Sequence, residues 1–200
     1  MNLQARVQQA MAESAALKTR FAAEQAETVV AAARMLAEVF QKGGKVLIFG
    51  NGGSAADAQH LAAEFVNRFE IERPPLAAVA LTTDTSILTA VANDYDFLEV
   101  FAKQVRALGR AGDAALGIST SGNSPNVVAG LQVARELGLK TLALSGREGG
   151  PVAAAAEVAL VVPSRRTPRI QEVHITIGHI LCDLVDFILF PEKFPDTVNR

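Results

Sequence analysis

Through residues 1 to about 42, apolar positions such as Val29, Val30, Ala33, Met35, Leu36 and Phe40 recur at mixed spacings of three and four. That is the period of helices with one buried stripe. The stretch is expected to form a pair of helices, stopped by Gln41-Lys42-Gly43-Gly44, because glycine accepts the left-handed conformation at a helix end. Beyond Gly44 the pattern changes to short aliphatic runs: Val46–Phe49, Ala77–Leu81, Ala114–Ile118, Thr141–Leu144 and Val158–Val162. These runs lack polar alternation, as strands buried on both faces do. Amphipathic stretches of helical length separate them, over about 54–68, 85–107, 124–138 and 151–156, and a last helix spans about 170–190.

Strands alternating with helices imply right-handed crossovers and a mainly parallel sheet covered on both faces. The expected fold is therefore a three-layer α/β domain over residues 43–200, with the helical pair of residues 1–42 packed beside it. In such a sheet, ligands bind beyond the carboxyl ends of the strands.

Composition narrows the classes of function. Half of the 200 residues are hydrophobic and the formal net charge is −2, which offers no general attraction to nucleic acid or to an anionic membrane. Recognition of a phosphate must then be local. Cys182 is the only cysteine, so no intrachain disulfide can form. The first residues spread charges through a helical pattern and lack the apolar segment of a signal peptide. Charged residues in the last helix, Glu172, His174, His179, Asp183 and Asp186 among them, argue against a membrane span. A cytoplasmic location is the expectation.

Two loops follow strands and open helices. The first is Gly50-Asn51-Gly52-Gly53-Ser54, where glycine lets the backbone approach a ligand and Ser54 suits an N-cap. The second is Ser119-Thr120-Ser121-Gly122-Asn123-Ser124-Pro125, dense in hydroxyls, with Pro125 in the first turn of the next helix. A helix N-terminus with spare donors is a phosphate site. Ordinary strand-to-helix turns also use Gly, Ser and Asn, so the first loop alone decides little. Neither loop has the spacing of a P-loop or a dinucleotide-binding turn.

After the first loop, His60 and Glu64 lie four residues apart on one helix face, able to hold a divalent metal or supply a base. A surface His–Glu pair reads the same way. In the last helix, His179 has apolar neighbours that also suit a core histidine. Gln171 and His179 are separated by about 12 Å of helical rise, so to serve one site they must converge lengthwise or come from different subunits. Asn93-Asp94 suits sugar hydroxyls or a plain turn. Arg165, Arg166 and Arg169 suit capping charges, and Cys182 suits packing.

Taken together, GNGGSAADAQHLAAEF, LTTDTSILTAVANDYDF, GISTSGNSPNV and RIQEVHITIGHIL resemble the phosphoheptose isomerases of the SIS superfamily, a likeness spanning nearly the whole chain. The resemblance implies a flavodoxin-like SIS fold and a homotetramer with sites at subunit interfaces, the N-terminal helices contributing to the interface. It implies one zinc per subunit on His60, Glu64, Gln171 and His179. Substrate contacts fall on Asn51, Gly52, Gly53, Ser54, Glu64, Asn93, Asp94, Ser119, Thr120, Ser121, Ser124 and Gln171, with Glu64 and His179 as the catalytic base and acid. The implied reaction turns D-sedoheptulose 7-phosphate into D-glycero-D-manno-heptose 7-phosphate, the first step of bacterial heptose and lipopolysaccharide synthesis. FAKQVRALG, NRFEIERP and LCDLVDFILF equally resemble a non-catalytic relative that binds the replication initiator DnaA. Retention of Glu64 and His179 favours the enzyme, and the length leaves no room for the extra module of a sugar-sensing regulator.

Overall fold

The computed structural model describes residues 2–194; Met1 and residues 195–200, included in the expected segments, lie outside the described residues. Five strands form one sheet: β1 (Val46–Gly50), β2 (Ala78–Ala80), β3 (Ala114–Ser119), β4 (Lys140–Gly146) and β5 (Val158–Val162). All neighbours pair in parallel, in the order β2-β1-β3-β4-β5. Each expected strand is present, with ends moved by no more than a residue or two. The flanking helices are α1 (Leu3–Gln41), α2 (Gly53–Val66), α3 (Thr85–Asp94), α4 (Val100–Leu108), α5 (Pro125–Glu136), α6 (Gly150–Ala154) and α7 (Thr167–Leu189).

The pleat divides the strands between two cores. Val46, Ile48, Leu116, Ile118, Leu142 and Leu144 pack with α1, α2 and α7 on one face. Leu47, Phe49, Ala115 and Ala143 pack with α4 and α5 on the other. Continuous burial of β1 and β3 explains why their sequences lack polar alternation.

Two expectations are corrected. The N-terminal pair is one continuous helix of 39 residues. Residues 3–41 contain neither Gly nor Pro, so nothing in the chain ends the helix before Gly43, where φ is +75° and the Gly44 N–H bonds back to the Val39 carbonyl. The stretch 85–107 is instead broken, α3 ending at Asp94 and a 3₁₀ turn (Phe97–Glu99) leading into α4. The Asp96 carboxylate accepts from the Leu98 N–H and restarts the helix.

Strand order reverses at β1, whose neighbours are β2 and β3. The crevice between the carboxyl ends of β1 and β3 is the topological switch point of this sheet. Both glycine- and serine-containing loops open there, one onto α2 and the other onto α5.

Candidate functional site

The two loops are tied together directly. Asn51 Nδ2 donates to Asn126 Oδ1 at 2.8 Å, and Asn126 Nδ2 donates to Asn51 Oδ1 at 3.0 Å. This reciprocal amide pair bridges the switch point, and a cleft of about 290 Å³ lined by Asn51, Phe97, Ser124 and Asn126 lies beside it. Nothing in the local sequence distinguishes Asn126, in the first turn of α5, from a solvent-facing residue, yet it is buried.

The serine-rich turn is organised around one hydroxyl. Ser119 Oγ lies 2.9 Å from Ser124 Oγ and 3.3 Å from Ser121 Oγ. Ser121 Oγ also accepts from the Asn123 N–H. Gly122 has φ +72° and an added Cβ would meet the Gly149 carbonyl at 2.5 Å, so only glycine lets the turn fold this tightly. Pro125 opens α5, as expected, and Ser124 is its N-cap residue. Thr120 is half-buried in the same turn. Residues 119–125 carry no charged side chain, so the turn presents hydroxyls and a helix N-terminus to an anion.

At the first loop, α2 begins two residues earlier than the Ser54 cap would give: the N-cap is Gly52, at φ +57°, and Ser54 is buried inside the first turn. Gly53 is needed for a different reason. A Cβ there would stand 1.9 Å from Nε2 of Gln171, so the start of α7 rests directly on the start of α2. Gln171 also lies beside Asp57, a residue the sequence does not mark. Burial pushes the Asp57 carboxyl up, against the pull of His60 and of Gln171, and its Oδ2 has no partner.

From these starts α2 and α7 run side by side in the same direction. They touch again where an added Cβ on Gly178 would lie 2.5 Å from Leu61 Cδ2. The residues next to that contact are His60 and His179. His60 Nε2 is 2.9 Å from His179 Nε2 and 3.4 Å from Glu64 Oε1. Phe69, in the loop after α2, covers His179 with ring centroids 5.4 Å apart. His60 is exposed and Glu64 and His179 half-buried, so the cluster opens to solvent.

Imidazole nitrogens and a carboxylate are the donors zinc takes, and the spacing around His60 Nε2 is of the order of ligand-to-ligand distances. The donor set fits the metal in kind. Among the described residues, however, no three His, Cys, Asp or Glu side chains surround one point as a finished cage. Gln171 stands two turns up α7 from His179, beside Gly53 and Asp57, as the helical rise requires.

The remaining candidates sort plainly. Asn93 donates to Asp94 at 2.8 Å; both are exposed at the end of α3 and bond to neither loop. Arg165 pairs with Glu148 at the surface, while Arg166, paired with Glu13, and Arg169, donating to the Ala10 carbonyl, tether the start of α7 to α1. Cys182 is fully buried, and burial pushes its thiol pKa up. The core histidine of α7 is His174, whose Nε2 donates to the Ser145 carbonyl at 3.1 Å and whose pKa burial drives down to about 4.

Comparison with known proteins agrees with this geometry. The SIS domain family matches residues 11–146. A phosphoheptose isomerase of Solidesulfovibrio magneticus is 62% identical over 178 residues, covering 89% of this chain and 87% of that one. The structure of a phosphoheptose isomerase from Neisseria gonorrhoeae superposes with a TM-score of 0.87 at 51% identity, covering 92% of this chain and 99% of that one. One from Francisella tularensis gives 0.89 at 40% identity, covering 93% and 99%. With sequence and fold in accord over nearly its whole length, the chain belongs to the phosphoheptose isomerase family of SIS-domain proteins.

Proposed function

We propose that this chain is an aldose–ketose isomerase that converts D-sedoheptulose 7-phosphate into D-glycero-D-manno-heptose 7-phosphate. The observation that carries the reading is the meeting of Glu64 and His179 around His60, on the helix that leads out of the switch-point crevice. A carboxylate and an imidazole at one site are the means of moving a proton between adjacent carbons.

The serine-rich turn grips the phosphate through Ser119, Thr120, Ser121 and Ser124 and the N-terminus of α5. Asn51, Gly52 and Gly53 line the sugar from the β1 side. Glu64 takes a proton from carbon 1 of the ketose, and the carbonyl electron pair moves to oxygen 2, which is protonated to give the enediol. Oxygen 1 then loses its proton as the aldehyde forms, and His179 returns a proton to carbon 2. No atoms are gained or lost. His60, Glu64 and His179, with Gln171, would hold zinc, whose chemistry is to polarise the substrate's oxygens.

We further propose that the protein works as a homotetramer in which a neighbour helps to close the site. Helix α3 has no buried residue, and Ile87, Tyr95, Phe97 and Leu98 stand exposed around it. Product would feed heptose synthesis for surface glycans. The DnaA adaptor reading is set aside, because binding a protein needs no acid–base pair.

The test is purified protein incubated with sedoheptulose 7-phosphate, with and without chelator and with added zinc, followed by NMR. An aldose phosphate is the expected product. Absence of conversion under every metal condition overturns the reading.

A further inference from the structure

Arg73 lies in the loop between α2 and β2, and its side chain is fully buried. Its guanidinium is fixed at several points at once. Nη2 donates to the Glu64 carbonyl at 2.9 Å and Nη1 to the Phe65 carbonyl at 2.7 Å, with longer contacts to the Asn67 and Pro74 carbonyls. Nε donates to Asp186 Oδ1 of α7 at 2.8 Å. One rigid planar group therefore holds the last-turn carbonyls of α2 and a carboxylate of α7 together.

Stability alone is a weak reason for this arrangement. Taking two charges out of water costs about as much as their attraction returns, and well-packed apolar residues often do as well. The arrangement does have a geometric consequence. Leu61 against Gly178 pins the two helices beside His60 and His179, and the guanidinium pins them again about two turns further along α7. Two contacts along parallel helices fix their offset and their rotation. The carbonyl held by Nη2 belongs to Glu64 itself.

We propose that Arg73 is a positioning residue for the isomerisation: anchored by Asp186, it clamps the end of α2 and so sets the Glu64 carboxylate against the His179 imidazole. The inference rests on Glu64 and His179 being the acid–base pair. Arg73 touches no substrate; it acts through the helix it holds.

The experiment uses two variants, Arg73→Lys and the pair Arg73→Met with Asp186→Leu, which removes both charges and leaves neither unmatched. Each is melted and then assayed beside wild type with sedoheptulose 7-phosphate at one shared temperature, about 20 °C below the lowest Tm of the set, so that folded protein is compared with folded protein. The paired variant should lose about tenfold or more in kcat, since small misplacements of reacting groups are costly. KM should stay within about twofold, because the serine-rich turn is built on β3 and α5. The limbs of the kcat–pH profile should also shift. A kcat within about twofold of wild type, or a uniform fall with unmoved limbs, overturns the proposal. If the paired variant does not fold, Arg73→Lys decides on the same terms, since lysine keeps the ion pair but cannot span both helices. Glu64→Gln is run in parallel: full activity there overturns the acid–base assignment, whereas loss there with unchanged Arg73 variants overturns only the positioning role.

Discussion

In the proposed mechanism the seam between α2 and α7 and the serine-rich turn after β3 handle different parts of one substrate with different chemistry. The seam gathers side chains able to exchange protons, from residues more than a hundred positions apart in the chain. The turn gathers neutral donors from six consecutive residues, Ser119 to Ser124, and fixes them by bonds among themselves. A grip on a dianion needs only dipoles held in place, and a short turn can supply them. Proton transfer needs two groups set at one distance from a carbon atom, and here helix packing sets it. The seam should therefore be sensitive to anything that moves a helix, whereas the turn should fail only when one of its own groups is removed.

Four changes separate the two regions, and the largest strikes the seam. Glu64→Gln should lower kcat by about 10²–10⁴-fold with KM and Tm little changed, as steady-state kinetics and melting will check. A variant with near wild-type kcat would dissolve the division of labour. Next comes the turn: Ser119→Ala removes the hydroxyl that both Ser121 and Ser124 approach, and should cost about 10–100-fold in kcat/KM, expressed mainly in KM. A loss confined to kcat would place Ser119 with the chemistry instead.

The third uses pH. His174 sits on the same helix as His179 but is buried behind the turn, bonded to the Ser145 carbonyl, and its pKa falls from 6.5 to about 4. Below pH 6.5 the unfolded chain takes up a proton that the folded protein refuses. Stability is therefore full above that value and falls as pH drops towards 4. Between pH 7 and pH 5 the loss should be about 2 kcal/mol in denaturant unfolding, and smaller in His174→Leu. The smallest effect concerns the bridge between regions. Asn126→Ala leaves Asn51 without its amide partner and should cost about 1–2 kcal/mol of stability, with a modest rise in KM.

How much of this was readable in the chain follows from the same contrast. The five strands stand out because strands buried on both faces are unbroken apolar runs, and the serine-rich turn stands out because its hydroxyls come from neighbouring residues of one loop. Pro125 in the first turn of α5 is legible from the sequence, whereas the Ser54 cap is not what forms; at the first loop Gly53 packs against Gln171 and the helix starts from Gly52. Two histidines on α7 looked alike from their neighbours, and packing alone decided that His174 is core and His179 faces His60. Arg73, Asp57 and Asn126 escaped notice because each is defined by a distant partner. Arg73 and Asp186 are 113 positions apart, and no local pattern records such a pairing. The break after Asp94 is hidden because Asp96 caps a short 3₁₀ turn that leads into α4 at Val100 without a glycine or proline to mark it.

The packing of α1 against α7 bears on how the molecule is made. Phe21 and Val29, near the beginning, share a core with Val173 and Ile177, near the far end of the order of elements. On a ribosome the first helix emerges long before its cover exists, and its apolar stripe must wait while all five strands are synthesised. Contacts so widely separated along the chain also slow the search for the native state. The same late helix brings His179, so a nascent chain can build its hydroxyl-rich turn well before His60 has its partner.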